Sequence, residues 1–281
     1  MTPLRTLSRG AVLAALALGT IGAAGAVADT TVVPDPTAQN VTAYATTAAW
    51  SRRAADGYHL VVAQGATIAD APVPVSSKPY DPDVGPTSSN GRAIVYARGG
   101  DIYRYDVGAA AEQELTSVSS SANEIAPSFF KDRIVFSRTN GKSPGTYVLR
   151  PKRKLTRLYK TIALETDVAE TRVIGRYGES DTSIIRVLNM TASDVKIVAR
   201  AKRGQLVTSP TLTRFNGIWL RAGASSTTVE QVGVNAHRGL DVLTADRTLP
   251  GQVRSLASYK IPTLYTNETG VQQIAPKLQF S

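Results

Sequence analysis

From Ala48 to Ala275 the chain alternates short apolar runs with polar stretches rich in glycine, proline, serine and asparagine. The apolar runs recur as one phrase: AAWSRR from Ala48, IVYARG from Ile94, IVFSRT from Ile134, VIGRYG from Val173, IWLRAG from Ile218 and TLYTNE from Thr263. Their first residues are 46, 40, 39, 45 and 45 positions apart. A period of about 40 to 45 residues built from short strands is the mark of a β-propeller, in which each repeat supplies one four-stranded blade. Around Ile94 the whole unit is visible. Asn90-Gly91 predicts a tight turn, RAIVYAR is an apolar strand packed on both faces, and Gly99-Gly100 makes the next turn. DIYRYDV then alternates with period two, and EQELTS supplies a polar outer strand. The next segment repeats the plan with EIAPSFF, RIVFSR, TYVLRPK and RKLTRL. Pro86, Pro127 and Pro210 each fall seven or eight residues before the apolar phrase, which predicts prolines at strand starts, where a missing amide does least harm. Only ALETDVAET, near Glu165, has a weak helical period, so the fold class is all-β.

The repeats divide the chain into a leader, 1–28, a linker or entry strand, 29–40, and a single propeller domain, 41–281. Six four-stranded blades fall roughly at 41–80, 83–118, 123–160, 161–201, 204–245 and 251–281. The last repeat is short. The ring therefore closes with N- and C-terminal strands together, and NVTAY (Asn40 to Tyr44) is the N-terminal candidate, because closure removes exposed sheet edges.

The leader joins a basic start, Arg5 and Arg9, to an Ala/Leu/Val/Gly run and ends in Ala26-Val27-Ala28, a small-x-small processing pattern. Cleavage after Ala28 predicts a secreted or periplasmic protein with no stable membrane span. The alternative is a retained apolar anchor. Of 281 residues, 253 then remain, about 42 per blade, which leaves no room for a further domain. No cysteine is present, which excludes disulfides, thiolate metal sites and a lipid-bearing cysteine.

At this point two segments, covering about 83 to 160, resemble the repeat of TolB-type (WD40-like) exported bacterial propellers. APSFFKDRIVFSR (Ala126 to Arg138) is similar to the first half of that repeat, DIYRYDV (Asp101 to Val107) to the second, and Leu115-Thr116 and Leu155-Thr156 to its closing pair. No copy keeps a Ser-Pro-Asp-Gly turn; Asn90-Gly91 and Lys131-Asp132 stand in its place. The resemblance implies a scaffold that binds proteins or other ligands, without implying a reaction.

Candidate chemistry is sparse. His59, in the alternating GYHLVVA, and His237, in the loop-like NAHRGL, are too few for a zinc site. There is no nucleophile elbow, phosphate loop or dinucleotide fingerprint. Ser180-Asp181 is turn chemistry. Asp81 and Asp83 in YDPDVGP, with Asp101 and Asp106, are the obvious acids for a two-carboxylate mechanism, but their spacing is that of turn aspartates at blade junctions. No catalytic, cofactor or metal residues are assigned.

Charge adds one feature. The chain after Ala28 has 30 basic against 22 acidic residues, a net +8. Arg150, Lys152, Arg153, Lys154, Arg157 and Lys160 lie within 11 residues, and Lys196, Arg200, Lys202 and Arg203 form a second group. On outer strands of adjacent blades these would form one stripe, either a polyanion-binding flank or protection of exposed strand edges. The sequence thus predicts a monomeric, non-enzymatic exported module that binds a protein or an acidic envelope polymer, with no specific nucleic-acid partner and no cofactor. The alternative is a channel-site enzyme of polysaccharide lyase or glycoside hydrolase type.

Overall fold

The computed structural model describes residues 29–190, 194–235, 239–241, 247–258 and 263–274. The leader, His237 and the C-terminal KLQF lie outside the described residues. Six antiparallel sheets form a ring. Their first strands run Gln39–Tyr44, Asp83–Pro86, Glu124–Phe130, Glu165–Ala169, Leu206–Leu212 and Ser255–Ser258. Each of these packs against the first strand of the next blade, and Ser255–Ser258 packs back on Gln39–Tyr44, so all six surround one axis. The apolar phrases of the sequence are the second strands. Trp50, Tyr96, Phe136, Ile174, Leu220 and Tyr265 lie there and are buried between neighbouring blades. In blade 5 the long third strand, Thr227–Asn235, pairs on its outer side with two short strands, Gly239–Asp241 and Arg247–Leu249.

The ring closes with the N-terminal strand Thr30–Val33, which lies outermost in blade 6, beside Gly270–Gln273. This corrects the expectation for Asn40 to Tyr44. That segment alternates too little to sit at an exposed edge: its last four residues are all buried, and it is the innermost strand of blade 1. The side chain of Asp29 is 6% exposed and accepts hydrogen bonds from Arg247 and from the Tyr265 hydroxyl (2.9 Å), tying the closing strand to blades 5 and 6.

ALETDVAET, for all its weak helical period, is strand as the all-β class requires: Glu165–Ala169 is the inner strand of blade 4, because tertiary pairing outweighs that period. One further expectation changes. The prolines sit deeper than strand starts. Pro86 ends the inner strand of blade 2. Pro127 and Pro210 lie inside inner strands at bulges, where the register skips from Ile125 to Ser128 and from Thr208 to Thr211. The residue before each, Ala126 (φ 49°) and Ser209 (φ 51°), is left-handed. A bulge leaves a residue outside the ladder, so a proline there costs no pairing. Blade 1 repeats the bulge at Asn40 (φ 55°) without a proline.

Candidate channel-mouth site

The inner strands start at one end of the ring, and there the bulges direct polar side chains at the axis. Further along, one kind of bond recurs at five of the six seams between blades among the described residues, Ser255 Oγ accepting from Val41 N (3.0 Å) being the one that joins blade 6 to blade 1. A side chain of one inner strand accepts from a backbone N–H of the next blade. Thr42 Oγ1 accepts from Val84 N (3.1 Å), Asp83 from Phe129 N (2.6 Å), Asp167 from Leu212 N (2.6 Å) and Thr211 Oγ1 from Ser258 N (3.2 Å). Asp83 also accepts from Thr42 (3.0 Å), and Asp167 from Thr211 (2.9 Å) and its neighbour Val168 N (2.6 Å). Asp83 and Asp167 are thus structural girdle residues. They line a waist with a cavity of about 20 Å³, room for one water.

Below the waist the bore is filled. Tyr44 of blade 1 and Phe130 of blade 3 meet edge to face, ring centroids 6.4 Å apart, in one buried cluster with Val84, Val168 and Leu212. Blade 2 permits this through Gly85, where a Cβ would lie 2.0 Å from the Phe129 carbonyl oxygen.

Above the waist lies a mouth cavity of about 120 Å³, lined by Asn40, Asp81, Asp83, Glu165, Asp167 and Arg254 among others. Glu165 is fully engaged: Arg176 (2.9 Å), Thr208 Oγ1 (2.8 Å) and Ser209 N (2.6 Å) all reach its carboxylate. Asp81 has no hydrogen bond or ion pair among the described residues. Burial, and then the charge of Glu165, raise its pKa to about 7, while Arg176 opposes the shift. Asp83 is raised well above the usual carboxylate range by burial and by the facing Asp167, and Asp167 is raised mainly by burial, against its three hydrogen bonds. Arg254 donates to the Pro36 carbonyl (2.7 Å) at the rim. The mouth is therefore a small acidic pit with one carboxyl left free to take a partner.

Of the acids expected in turns at blade junctions, Asp83 lies instead on the inner strand of blade 2, Asp81 lies in the connection from blade 1 just before it, and Asp106 closes a turn within blade 2, its Oδ1 accepting from Gly108 N and Ala109 N (3.0 Å each). Asp101 opens a strand of blade 2. Sequence reasoning does not find Glu165 and Asp167: Asp167 holds in blade 4 the register place of Asp83 in blade 2, pairing with Ile174 as Asp83 pairs with Val95, but the intervening turns differ in length. His59 is a strand residue beside Asp56 (2.8 Å) and Asp70 (3.6 Å). Ser180 and Asp181 form a single 3-10 turn between strands of blade 4. Among the described residues no group of three or more His, Cys, Asp or Glu could hold a metal ion.

The two basic groups do not share one end. Arg150 through Lys154 follow the third strand of blade 3, whose Leu149 pairs with Ile134 at the plugged end. Arg157 lies on the outer strand Thr156–Tyr159, and Lys160 follows it. Lys196 and Arg200 lie on the outer strand of blade 4, where Arg200 pairs with Ile184 at the mouth end. Lys202 and Arg203 continue from there toward Leu206.

No family model matches the chain, and no curated protein matches it. Solved structures do. A candidate TolB from Agrobacterium tumefaciens superposes with a TM-score of 0.54 at 8% identity, over 85% of this chain and 90% of that one. The fold is TolB-like. TolB from Acinetobacter baumannii matches at TM-score 0.53 and 15% identity, covering 82% of this chain and 64% of its own. The tricorn protease matches at TM-score 0.57 and 12% identity, covering 87% of this chain. The chain spans about a quarter (26%) of that protease. At such identities the TolB-like likeness is one of architecture.

Proposed function

We propose that the protein is an exported, non-enzymatic binding module that receives a protein partner at its channel mouth, with a lysine or N-terminal ammonium of the partner seated against Asp81. The observation behind this is the free Asp81 carboxyl in an acidic, bottom-plugged pit. An ammonium there would pair with Asp81 and stabilise its ionised form. A cavity of about 120 Å³ is well below the ~300–1,000 Å³ of sites that enclose small molecules. It suits the tip of a side chain, with the surrounding loops supplying the remaining contact area. The processing pattern before Asp29 supports export with cleavage after Ala28. Among the described residues no helix is long and apolar enough to cross a membrane.

The test is an NMR titration with a short lysine peptide and its norleucine counterpart. Amide shifts clustered at Asn40, Asp81 and Ser209, seen only with lysine and lost in Asp81→Asn, are expected. Equal shifts with both peptides, or shifts elsewhere, would defeat the reading. A second reading is a channel-site lyase or glycoside hydrolase. It draws on two mouth carboxyls in different surroundings, Asp81, unpaired and with its pKa raised to about 7, and Glu165, ion-paired with Arg176 (2.9 Å), an arrangement that suits acid–base catalysis. Turnover of a polysaccharide by purified protein, abolished by Asp81→Asn, would favour it over the first.

A further inference from the structure

A second site lies at the other end of the ring and does not depend on the channel-mouth reading. Arg133 opens the second strand of blade 3, and Arg150 follows the third. One step beyond the Ile134–Leu149 pair, these two arginines occupy opposite positions in the register. Like charges placed directly across a ladder destabilise it. Compensation is partial: Arg133 Nη1 donates to the backbone carbonyl of Glu170, but Arg133 Nε is buried with no hydrogen-bond partner. Burial and then the charge of Arg150 disfavour the Arg133 cation, against the favourable charge of Glu170. The nearby Glu170 carboxylate is taken by Lys131 (3.4 Å).

Beyond Arg150 the chain makes a turn through Pro151 and a left-handed Lys152 (φ 56°), closed by Arg153 N donating to Arg150 O (3.1 Å). The turn adds Lys152, Arg153 and Lys154, all exposed, to the arginine pair. Among the described residues none of these five cations forms an ion pair. Edge protection explains Arg157, which lies on an outer strand, but not these residues, which lie at one end of the two middle strands and in the following turn.

We infer that Arg133, Arg150 and the Lys152–Lys154 turn form a binding site for a linear polyanion, a polymer with phosphate or carboxylate groups repeated along its chain. Paired guanidinium groups fit one such anion bidentately. The three exposed cations extend the positive surface too far for a single ion and suit the following groups of a chain. The second basic group has no part in this site, because most of it lies at the mouth end.

The test measures binding of long-chain polyphosphate to the full chain at about 0.15 M salt, where charges more than about 8 Å apart are screened from one another. Saturable binding that weakens with salt is expected, reduced about tenfold or more in K152S/R153S/K154S, with a flatter salt dependence. R133Q is expected to weaken binding about threefold without lowering the melting temperature, since a neutral amide relieves the arginine pair. R200S/K202S/R203S, at the other end, should bind as wild type. Absence of binding, or an equal loss in the mouth-end variant, overturns the site. Orthophosphate binding as tightly as the polymer, or phosphatidylglycerol vesicles competing as well as polyphosphate at matched phosphate, overturns the linear-polymer assignment.

Discussion

At the mouth of the channel the starts of the inner strands and the residues just before them line a cavity with Asp81, Glu165 and Arg254; a few residues along, the bore is packed with Tyr44, Phe130 and Val168. Both halves use one backbone plan, and the side chains alone distinguish them. Where each acid has its hydrogen bonds, as at Asp83 and Asp167, it serves the ring. Where one is left over, as at Asp81, it is available to something outside. Burial and the charge of Glu165 disfavour the Asp81 carboxylate with no hydrogen bond to offset them, so the carboxyl left out of the well-bonded girdle is the one whose charge the fold tolerates least well near neutrality.

That division can be broken experimentally, beginning with the plug. Phe130→Ala should cost about 3–5 kcal/mol in denaturant unfolding, as for other large aromatic truncations; a loss under about 1 kcal/mol would mean the bore is not packed. Next, Asp83→Ala leaves the Phe129 N–H and the Thr42 hydroxyl without an acceptor and should cost about 2–3 kcal/mol, whereas Asp81→Ala should cost less than a third of that. Similar losses would erase the contrast between bonded and free acids.

The pH dependence sharpens it further. Asp81 binds its proton more tightly in the folded protein, up to a pKa of about 7 against an ordinary 3.8. Its stabilising contribution is therefore complete below about pH 4 and is lost as pH rises through about 7. Asp81→Asn should remove that decline and be more stable than wild type at pH 8 by about 1–2 kcal/mol, less than the full shift because channel water screens the charge. Asp83 and Asp167 keep their own share of the slope. A wild-type-like pH profile in the variant would refute the assignment. The smallest effect is at the ring closure: Asp29→Ala should cost about 1 kcal/mol by freeing Arg247 and Tyr265, read as a lower melting temperature with the mouth titration unchanged.

The repeat, the six blades and the TolB-like architecture were legible in the chain, because the apolar second strands are buried on both faces and must keep their pattern. The site was less so. YDPDVGP read as a turn because aspartate and proline usually mark one, and ETDVA read as weakly helical. Only the ring shows that both segments are inner strands facing one axis. The basic segment was visible from its charge alone, but Arg133, 17 residues before Arg150 in the chain, joins it only through strand pairing.

By itself, then, the sequence determined that short apolar strands repeat and must close into a ring, since local pattern and turn chemistry act over a few neighbouring residues. Tertiary structure decided which strand closes the ring, which carboxyl is left unpaired and which cations meet. Those outcomes depend on bulges, register and the contacts between blades, which join residues 17 or more positions apart.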